Sequence, residues 1–199
     1  MPRKKLLSDA DVLAAAGRVF TRVGPSRFTL ADVASEAGLS PATLIQRFGS
    51  KRALLLAFAE HAAGLARRPF EQAQSDGGSA LEALRAALLD ASRATKDRRE
   101  LSCSLAFLVE DLADPALGAY AAQHARWMEA SIRVLLEHAA ARGELVGADP
   151  ARLAHALQAA CTGALFQWAL RGRGSLAGWI GAVVDTLLAP YEARERSRA

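Results

Sequence analysis

The sequence predicts an all-helical protein: a small three-helix head containing a helix-turn-helix, followed by a larger helical part, with about nine helices in total. Three observations carry this. Ala, Leu and Arg, all strong helix formers, dominate a chain of 199 residues that is 51% hydrophobic and 23% charged. Apolar residues recur at spacings of three and four, whereas alternation of β-branched residues is nearly absent. Helix-start and helix-stop residues follow one another at helix-length intervals. The composition excludes disordered and fibrous classes, and no repeat of 20 to 50 residues is visible.

Taken in order, Ser8 with Asp11 makes a capping-box start for a helix running to about Val23, which Gly24-Pro25 stops. Thr29 with Asp32 repeats the device for a short second helix that ends at Gly38. Ser40 caps a third, with Pro41 at the first helical position, where its missing N–H costs nothing. Phe48-Gly49 ends that one, and Ser50 caps a fourth helix reaching about Arg68, just before Pro69. A polar stretch, Gln72 to Ser79 with Asp76-Gly77-Gly78 at its centre, marks a change of composition. Beyond it lie helices at about 80–95, 101–112, 115–142, 150–171 and 175–190. Asp114-Pro115 and Asp149-Pro150 give paired start signals, and the tail from Glu192 is charged.

Charge is unevenly placed. Lys and Arg number 25 against 21 Asp and Glu, a formal +4, yet residues 1–70 hold 11 basic and 5 acidic side chains while the remainder is slightly acidic. A basic N-terminal third is the asymmetry expected of a chain that meets a polyanion at one end. Asp9 and Asp11 interrupt what would have to be the apolar stretch of a signal peptide after Met1-Pro-Arg-Lys-Lys. Leu153 to Leu170 lacks charged residues but contains His155, Gln158 and Gln167 and barely reaches spanning length, so it reads as a buried helix. Two cysteines, Cys103 and Cys161, cannot build a disulfide framework or a zinc site and read as reduced core residues, which points to the cytoplasm.

The residues that carry function lie between Phe28 and Lys51. Two short helices separated by Gly38-Leu39-Ser40 must cross steeply, which demands a small residue at their contact and a left-handed one at the turn; Ala34 and Gly38 supply these. Ala34, Leu39, Leu44 and Phe48 then form an apolar seam, and Pro41, Ala42, Ile45 and Gln46 remain on the outer face of helix 41–47. This is helix-turn-helix geometry, with that helix offered to a major groove.

In Thr29, Ala34, Gly38-Leu39-Ser40, Thr43-Leu44, Phe48 and Ser50-Lys51, across roughly residues 9 to 56, the chain closely resembles the TetR family of bacterial transcription regulators. The resemblance implies a homodimer with a DNA-binding head at 1–52, a connecting helix at 51–68, and an effector-binding and dimerisation domain at 53–199. It also implies that Thr29, Ser40, Thr43 and Lys51 contact phosphate, while Pro41, Ala42 and Gln46 face the groove. Helix N-termini at 30 and 51 would add backbone N–H donors. The family usually has Tyr where this chain has Ile45, and often His where it has Arg47. Ile45 is expected to meet a thymine methyl instead, and Arg47 to supply a charged phosphate contact. An ordinary helical pair, with Arg47, Lys51 and Arg52 as a solvated face, is the bland alternative. Arg3, Lys4 and Lys5 are candidates for an arm near the DNA backbone.

In the C-terminal part, Leu117, Tyr120, His124, Trp127, Met128, Ser131, Leu135 and His138 recur on one face of helix 115–142. Most of that stripe is core, but two His, a Tyr and a Ser are costly to bury without partners. Tyr120, His124, Trp127 and Met128, with Phe107 and Phe166, are therefore the candidates to line an effector cavity of mainly apolar character. In helix 101–112, Leu101, Leu105, Leu108 and Leu112 form a plain core stripe. Ala156, Ala160, Gly163 and Gln167 make a small-residue strip on helix 150–171. The last helix is apolar on two sides, through Trp179, Val183 and Leu187 and through Ile180, Val184 and Leu188. Two apolar faces need two partners, so these two helices are expected to pair with their symmetry mates in a four-helix interface. The loop Arg171-Gly-Arg-Gly174 reads as a flexible connection.

No cofactor, metal or catalytic centre is expected: there is no Gly-x-Ser-x-Gly elbow, phosphate loop or His-Glu-x-x-His, and His61, His124, His138 and His155 lack ligand spacing. The expected function is a ligand-responsive regulator, a repressor, that binds a palindromic operator as a dimer and leaves it when a small-molecule effector binds. The competing reading is a helical ligand-binding or adaptor protein whose degenerate helix-turn-helix no longer binds DNA.

Overall fold

The computed structural model describes residues 7–24, 26–75, 77–93, 95, 97–102, 105–106 and 114–193. Eight helices have both ends among them: α1 (Asp9–Val23), α2 (Leu30–Ala37), α3 (Pro41–Phe48), α4 (Lys51–Ser75), α5 (Ala80–Arg93), α6 (Pro115–Ala141), α7 (Pro150–Arg171) and α8 (Leu176–Leu188). Residues 98–102 and 105–106 are also helical. Among the described residues there is no β-strand, only an isolated bridge between Leu145 and Glu192. Most of the expected helix 101–112, with Cys103, Phe107, Leu108 and Leu112, and the basic triplet Arg3-Lys4-Lys5 lie outside the described residues.

Contacts divide the chain into two compact units, Met1–Leu65 with Ser102–Ala122, and Ala66–Leu101 with Gln123–Ala199. The first is organised by α1, α2, α3 and the start of α4. Val12, Ala16, Val19, Phe20, Phe28, Val33, Ala34, Leu44 and Leu54 form its core, all at 1% exposure or less. Phe20 sits at its centre, edge-on to Phe28 at 4.5 Å and to Phe58 at 4.9 Å. The caps act locally as the sequence requires. Ser8 and Thr29 each accept an N–H three residues on, from Asp11 and Asp32, while those carboxylates accept from the cap N–H in return. Hydrogen bonds from Thr29 hold the Asp32 carboxyl below its ordinary range.

In the second unit, α4 departs from the expected end at Arg68 and continues through Pro69 to Ser75. A proline inside a helix costs about 3 kcal/mol by removing one backbone bond and crowding the preceding turn. Burial on the far side offsets it: Phe70 is fully buried, edge-on to Trp127 at 5.9 Å, and Ala73 is buried as well.

Helix α6 also differs from expectation. Leu117, Ser131 and Leu135 are buried, but Tyr120 and His138 are exposed. Leu117, His124, Ser131 and His138 repeat every seven residues, and a straight α-helix drifts about 20° per heptad, enough over three heptads to carry His138 off the buried face. Ile132, Leu136 and Ala139 take the inward places instead. Helix α7 starts on Asp149, whose carboxylate accepts from the Ala151 and Arg152 N–H groups, and ends at Gly172 in the left-handed conformation (φ 64°). At Gly172 a Cβ would stand 2.8 Å from the Arg98 guanidinium, whose Nε and Nη2 donate to the Ala169 carbonyl at the end of α7.

The loop after α7 is tied by hydrogen bonds to both flanking helices. The Trp168 indole donates to the Gly174 carbonyl at 3.0 Å, the Trp179 indole to the Arg173 carbonyl at 2.8 Å, and Arg171 lies 5.7 Å from the Trp179 ring. Two indoles reaching back from flanking helices fix its path.

Candidate functional site

The turn between α2 and α3 is built as the residues demand. Gly38 is left-handed (φ 67°), and its N–H and that of Leu39 bond back to the end of α2. Ser40 then caps α3, accepting from the Thr43 N–H at 3.1 Å, with the two hydroxyls 2.8 Å apart. Ala34 and Leu44 are fully buried at the crossing and Phe48 packs against the same core, which leaves the opposite face of α3 outward. Pro41, Ala42, Gln46 and Arg47 are exposed, and Ile45 is 49% exposed. The structure thus brings all the groove-facing candidates together on one face.

The phosphate candidates have local partners. Thr29 is exposed and donates its hydroxyl to Asp32 at 2.7 Å. Lys51 donates to the Ser26 carbonyl at 3.0 Å and lies 4.4 Å above the Phe28 ring, so it ties the loop before α2 to the start of α4. Arg47 forms an ion pair with Asp9 at the start of α1. Arg18 and Arg22 both pair with Glu36, at 2.8 and 3.0 Å, joining α1 to α2 and holding the Glu36 carboxyl below its usual range. Arg52 binds Asp114 through two parallel bonds of 2.9 Å. That fork, together with the Ala116 and Leu117 N–H groups capped by the same carboxylate, draws Asp114 down to about 2.

Of the residues expected to line an effector cavity, His124, Trp127 and Met128 are half-buried, whereas Tyr120 and Phe166 are 38% and 41% exposed and stand on outer helix faces. Phe166 is displaced from the interior by Ala164 and Trp168, which the α7 register turns inward. Phe107 lies outside the described residues. Residues that the sequence did not single out complete the neighbourhood: the Arg67 guanidinium lies 5.2 Å over the Trp127 ring, and Phe70 packs edge-on against it. Three side-chain atoms there are buried without a hydrogen-bond partner, Arg67 Nε, His124 Nδ1 and Gln158 Oε1. Each such atom costs about 1–3 kcal/mol. Burial, and then the Arg67 charge, holds the His124 imidazole below its ordinary pKa. Cys161 is pushed up to about 11 by burial, which makes it an unreactive thiol.

On α8, Ile180, Val184 and Leu188 are buried within the chain, while Trp179, Val183 and Leu187 are only half-buried. These three, with Ala160 of α7 and Ala182 and Thr186, line an open apolar groove of about 680 Å³. Ala156 is half-buried, and Gly163 and Gln167 are exposed on the same helix, beside Phe166 and the 76% exposed Leu170.

Comparison with known families matches residues 12–58 to the bacterial regulatory proteins of the tetR family and residues 80–190 to the C-terminal domain of BetI-type transcriptional repressors. The chain belongs to the TetR family. Solved structures agree in fold. A transcriptional regulator from Saccharomonospora viridis in complex with choline is 24% identical with a TM-score of 0.78, covering 92% of this chain and 97% of its own. SmeT, the repressor of the Stenotrophomonas maltophilia multidrug efflux pump SmeDEF, is 22% identical with a TM-score of 0.74, covering 96% and 93%. A SmeT–triclosan complex gives 23% and 0.77, covering 93% and 91%. No curated protein matches the chain.

The fold and family are those of transcription regulators, not enzymes. In this TetR-family chain the α2–α3 pair is the helix-turn-helix, and Ile45 takes its outer position. Among the described residues no helix is long and apolar enough to cross a membrane, and no three His, Cys, Asp or Glu converge on a metal-sized site.

Proposed function

We propose that the protein is a ligand-responsive repressor that binds a palindromic operator as a homodimer and releases it when a small-molecule effector occupies the C-terminal domain. The observation that carries this reading is the outer face of α3: Leu44 is fully buried beneath it, and Pro41, Ala42, Ile45 and Gln46 are all exposed on it. Gln46 is suited to pair with adenine, Ile45 and Ala42 to meet thymine methyls, and the Ser40, Thr43, Thr29, Lys51 and Arg47 side chains to meet phosphates. Residues 1–52 act as the DNA-binding head and 53–199 as the effector and dimer domain, in the cytoplasm, where the operator is.

The dimer forms through α7 and α8 and their symmetry mates. The groove lined by Ala160, Trp179, Val183 and Leu187 supports it, since a helix with a second apolar face left open needs a second partner. Ala156, Gly163 and Gln167 lie along the same contact, and exposed Phe166 and Leu170 belong with it rather than with a ligand cavity. Two α3 helices then stand about one DNA turn, roughly 34–36 Å, apart. Helix α4 gives Leu54 to the core of the first unit and Phe70 to that of the second, so an effector that shifts α4 re-spaces the heads, limited by its differential affinity for the two states. The choline and triclosan held by structural relatives support a small-molecule effector of His124, Trp127 and Met128.

A gel shift against DNA flanking the gene, run over a salt series, tests the reading. Sequence-selective binding that weakens with salt is expected. Equal binding to unrelated DNA, or none, favours a helix-turn-helix that has lost DNA recognition.

A further inference from the structure

Within the second unit, α4, α6 and α7 bring three unsatisfied polar atoms into one region. Arg67 Nε and His124 Nδ1 are both buried without a partner, and the charge of Arg67 is felt at His124. Trp127, one helical turn beyond His124, stands between Arg67 on its face and Phe70 at its edge. The Gln158 amide donates to the Ala125 carbonyl at 2.9 Å, next to His124, and leaves its own oxygen unpaired. Among the described residues no carboxylate forms an ion pair with Arg67.

The chemistry missing from this set is specific. A guanidinium with an unfilled N–H asks for an anionic acceptor, and a carboxylate is the group its fork matches best. The open face of a neutral imidazole accepts or donates one further bond. An unpaired amide oxygen asks for a donor such as a hydroxyl. A cationic ligand is disfavoured twice, by direct repulsion from Arg67 and because the Trp127 face that would receive it already carries that guanidinium.

We propose that the effector of this protein is a small aromatic carboxylate, bound with its carboxylate on Arg67 and its ring beside the half-buried Trp127. This rests on the regulator reading above and names the class of ligand that the site takes. Such a ligand acts as an effector to the extent that it binds one spacing of the heads better than the other. A hydroxyl on the ring strengthens binding through Gln158.

The test uses the full-length protein with benzoate, 4-hydroxybenzoate, benzamide and benzyltrimethylammonium as probes, read by thermal shift and tryptophan fluorescence. Both carboxylates are expected to raise the melting temperature, 4-hydroxybenzoate more than benzoate, and the amide and the ammonium compound to leave it unchanged. Arg67→Gln is expected to weaken carboxylate binding on the order of tenfold or more, while Arg67→Lys, which keeps the charge but loses the fork, recovers part of it. A shift with benzyltrimethylammonium, a shift with neither carboxylate, or undiminished carboxylate binding by Arg67→Gln overturns the proposal. DNA binding by the same unliganded preparation is scored separately: if it is sequence-selective but insensitive to carboxylates, only the ligand class fails; if it is absent, the regulator reading fails.

Discussion

Replacing Asp9 with Asn should weaken the fold slightly and strengthen DNA binding. Arg47 is held by Asp9, whose side chain is 67% exposed; Arg47 is exposed as a whole residue, although its side chain, lying against Asp9, is 26% exposed. An ion pair this open is worth about 0.2–1 kcal/mol, and a negative charge in the first turn of α1 gains about 0.3–1 kcal/mol from the helix dipole. The substitution therefore costs the fold about 0.5–2 kcal/mol, which a domain of ordinary stability survives. On DNA, Arg47 must leave Asp9 to reach a phosphate. Removing that competition returns about 0.4–2 kcal/mol to a dimer, an affinity gain of roughly two- to thirtyfold. The partner variant, Arg47→Ala, deletes two phosphate contacts per dimer and lowers the salt slope by about 1.8. Raising salt from 50 to 200 mM then weakens it about twelvefold less than wild type. Fluorescence anisotropy on a labelled operator across that range reads both effects. Unchanged affinity in Asp9→Asn together with an unchanged slope in Arg47→Ala refutes the role given to Arg47.

Leu44→Ala should destabilise the head by about 2–5 kcal/mol, because the fully buried side chain leaves a cavity under α3; the denaturant midpoint measures it. Asp114→Asn should lower the melting temperature at neutral pH. Since the folded pKa of Asp114 is depressed from 3.8 to about 2, its contribution is present above pH 4 and is lost as the pH falls toward 2, so the two melting curves should converge there. Val183→Asp places a charge in the apolar groove at a half-buried position and should yield a monomer in sedimentation with its helical circular dichroism retained.

The head was legible in the sequence because its determinants are local. Caps at Ser8, Thr29 and Ser40 act over three residues, Gly38 sets its own turn, and the Ala34–Leu44 seam follows from two helices of eight residues joined by that short turn. What depends on distant partners was not legible. Pro69 reads as a stop until Phe70 and Trp127 are seen to meet, and Arg47 reads as free until Asp9, 38 residues earlier, is placed beside it. On long α6 the stripe read from three- and four-residue spacing drifts off the buried face by its last turn, which leaves His138 outward and puts Ile132, Leu136 and Ala139 in the inward places, while Tyr120 is exposed near the start of the helix. On α7 the apolar residues surround the helix, so periodicity gave no ground for preferring buried Trp168 to exposed Phe166. Arg67 and Gln158 carry no sequence signature as site residues; only their unpaired buried atoms distinguish them.

Hydroxyl-radical footprinting of the wild-type protein on its bound DNA, repeated with Gln46→Ala, bears most directly on whether the outer face of α3 reads sequence. Two symmetric protected patches about one helical turn apart are predicted, with Gln46→Ala losing about 1–3 kcal/mol of discrimination at one base pair per half-site. Protection without two-fold symmetry, or base preferences identical in Gln46→Ala, contradicts it.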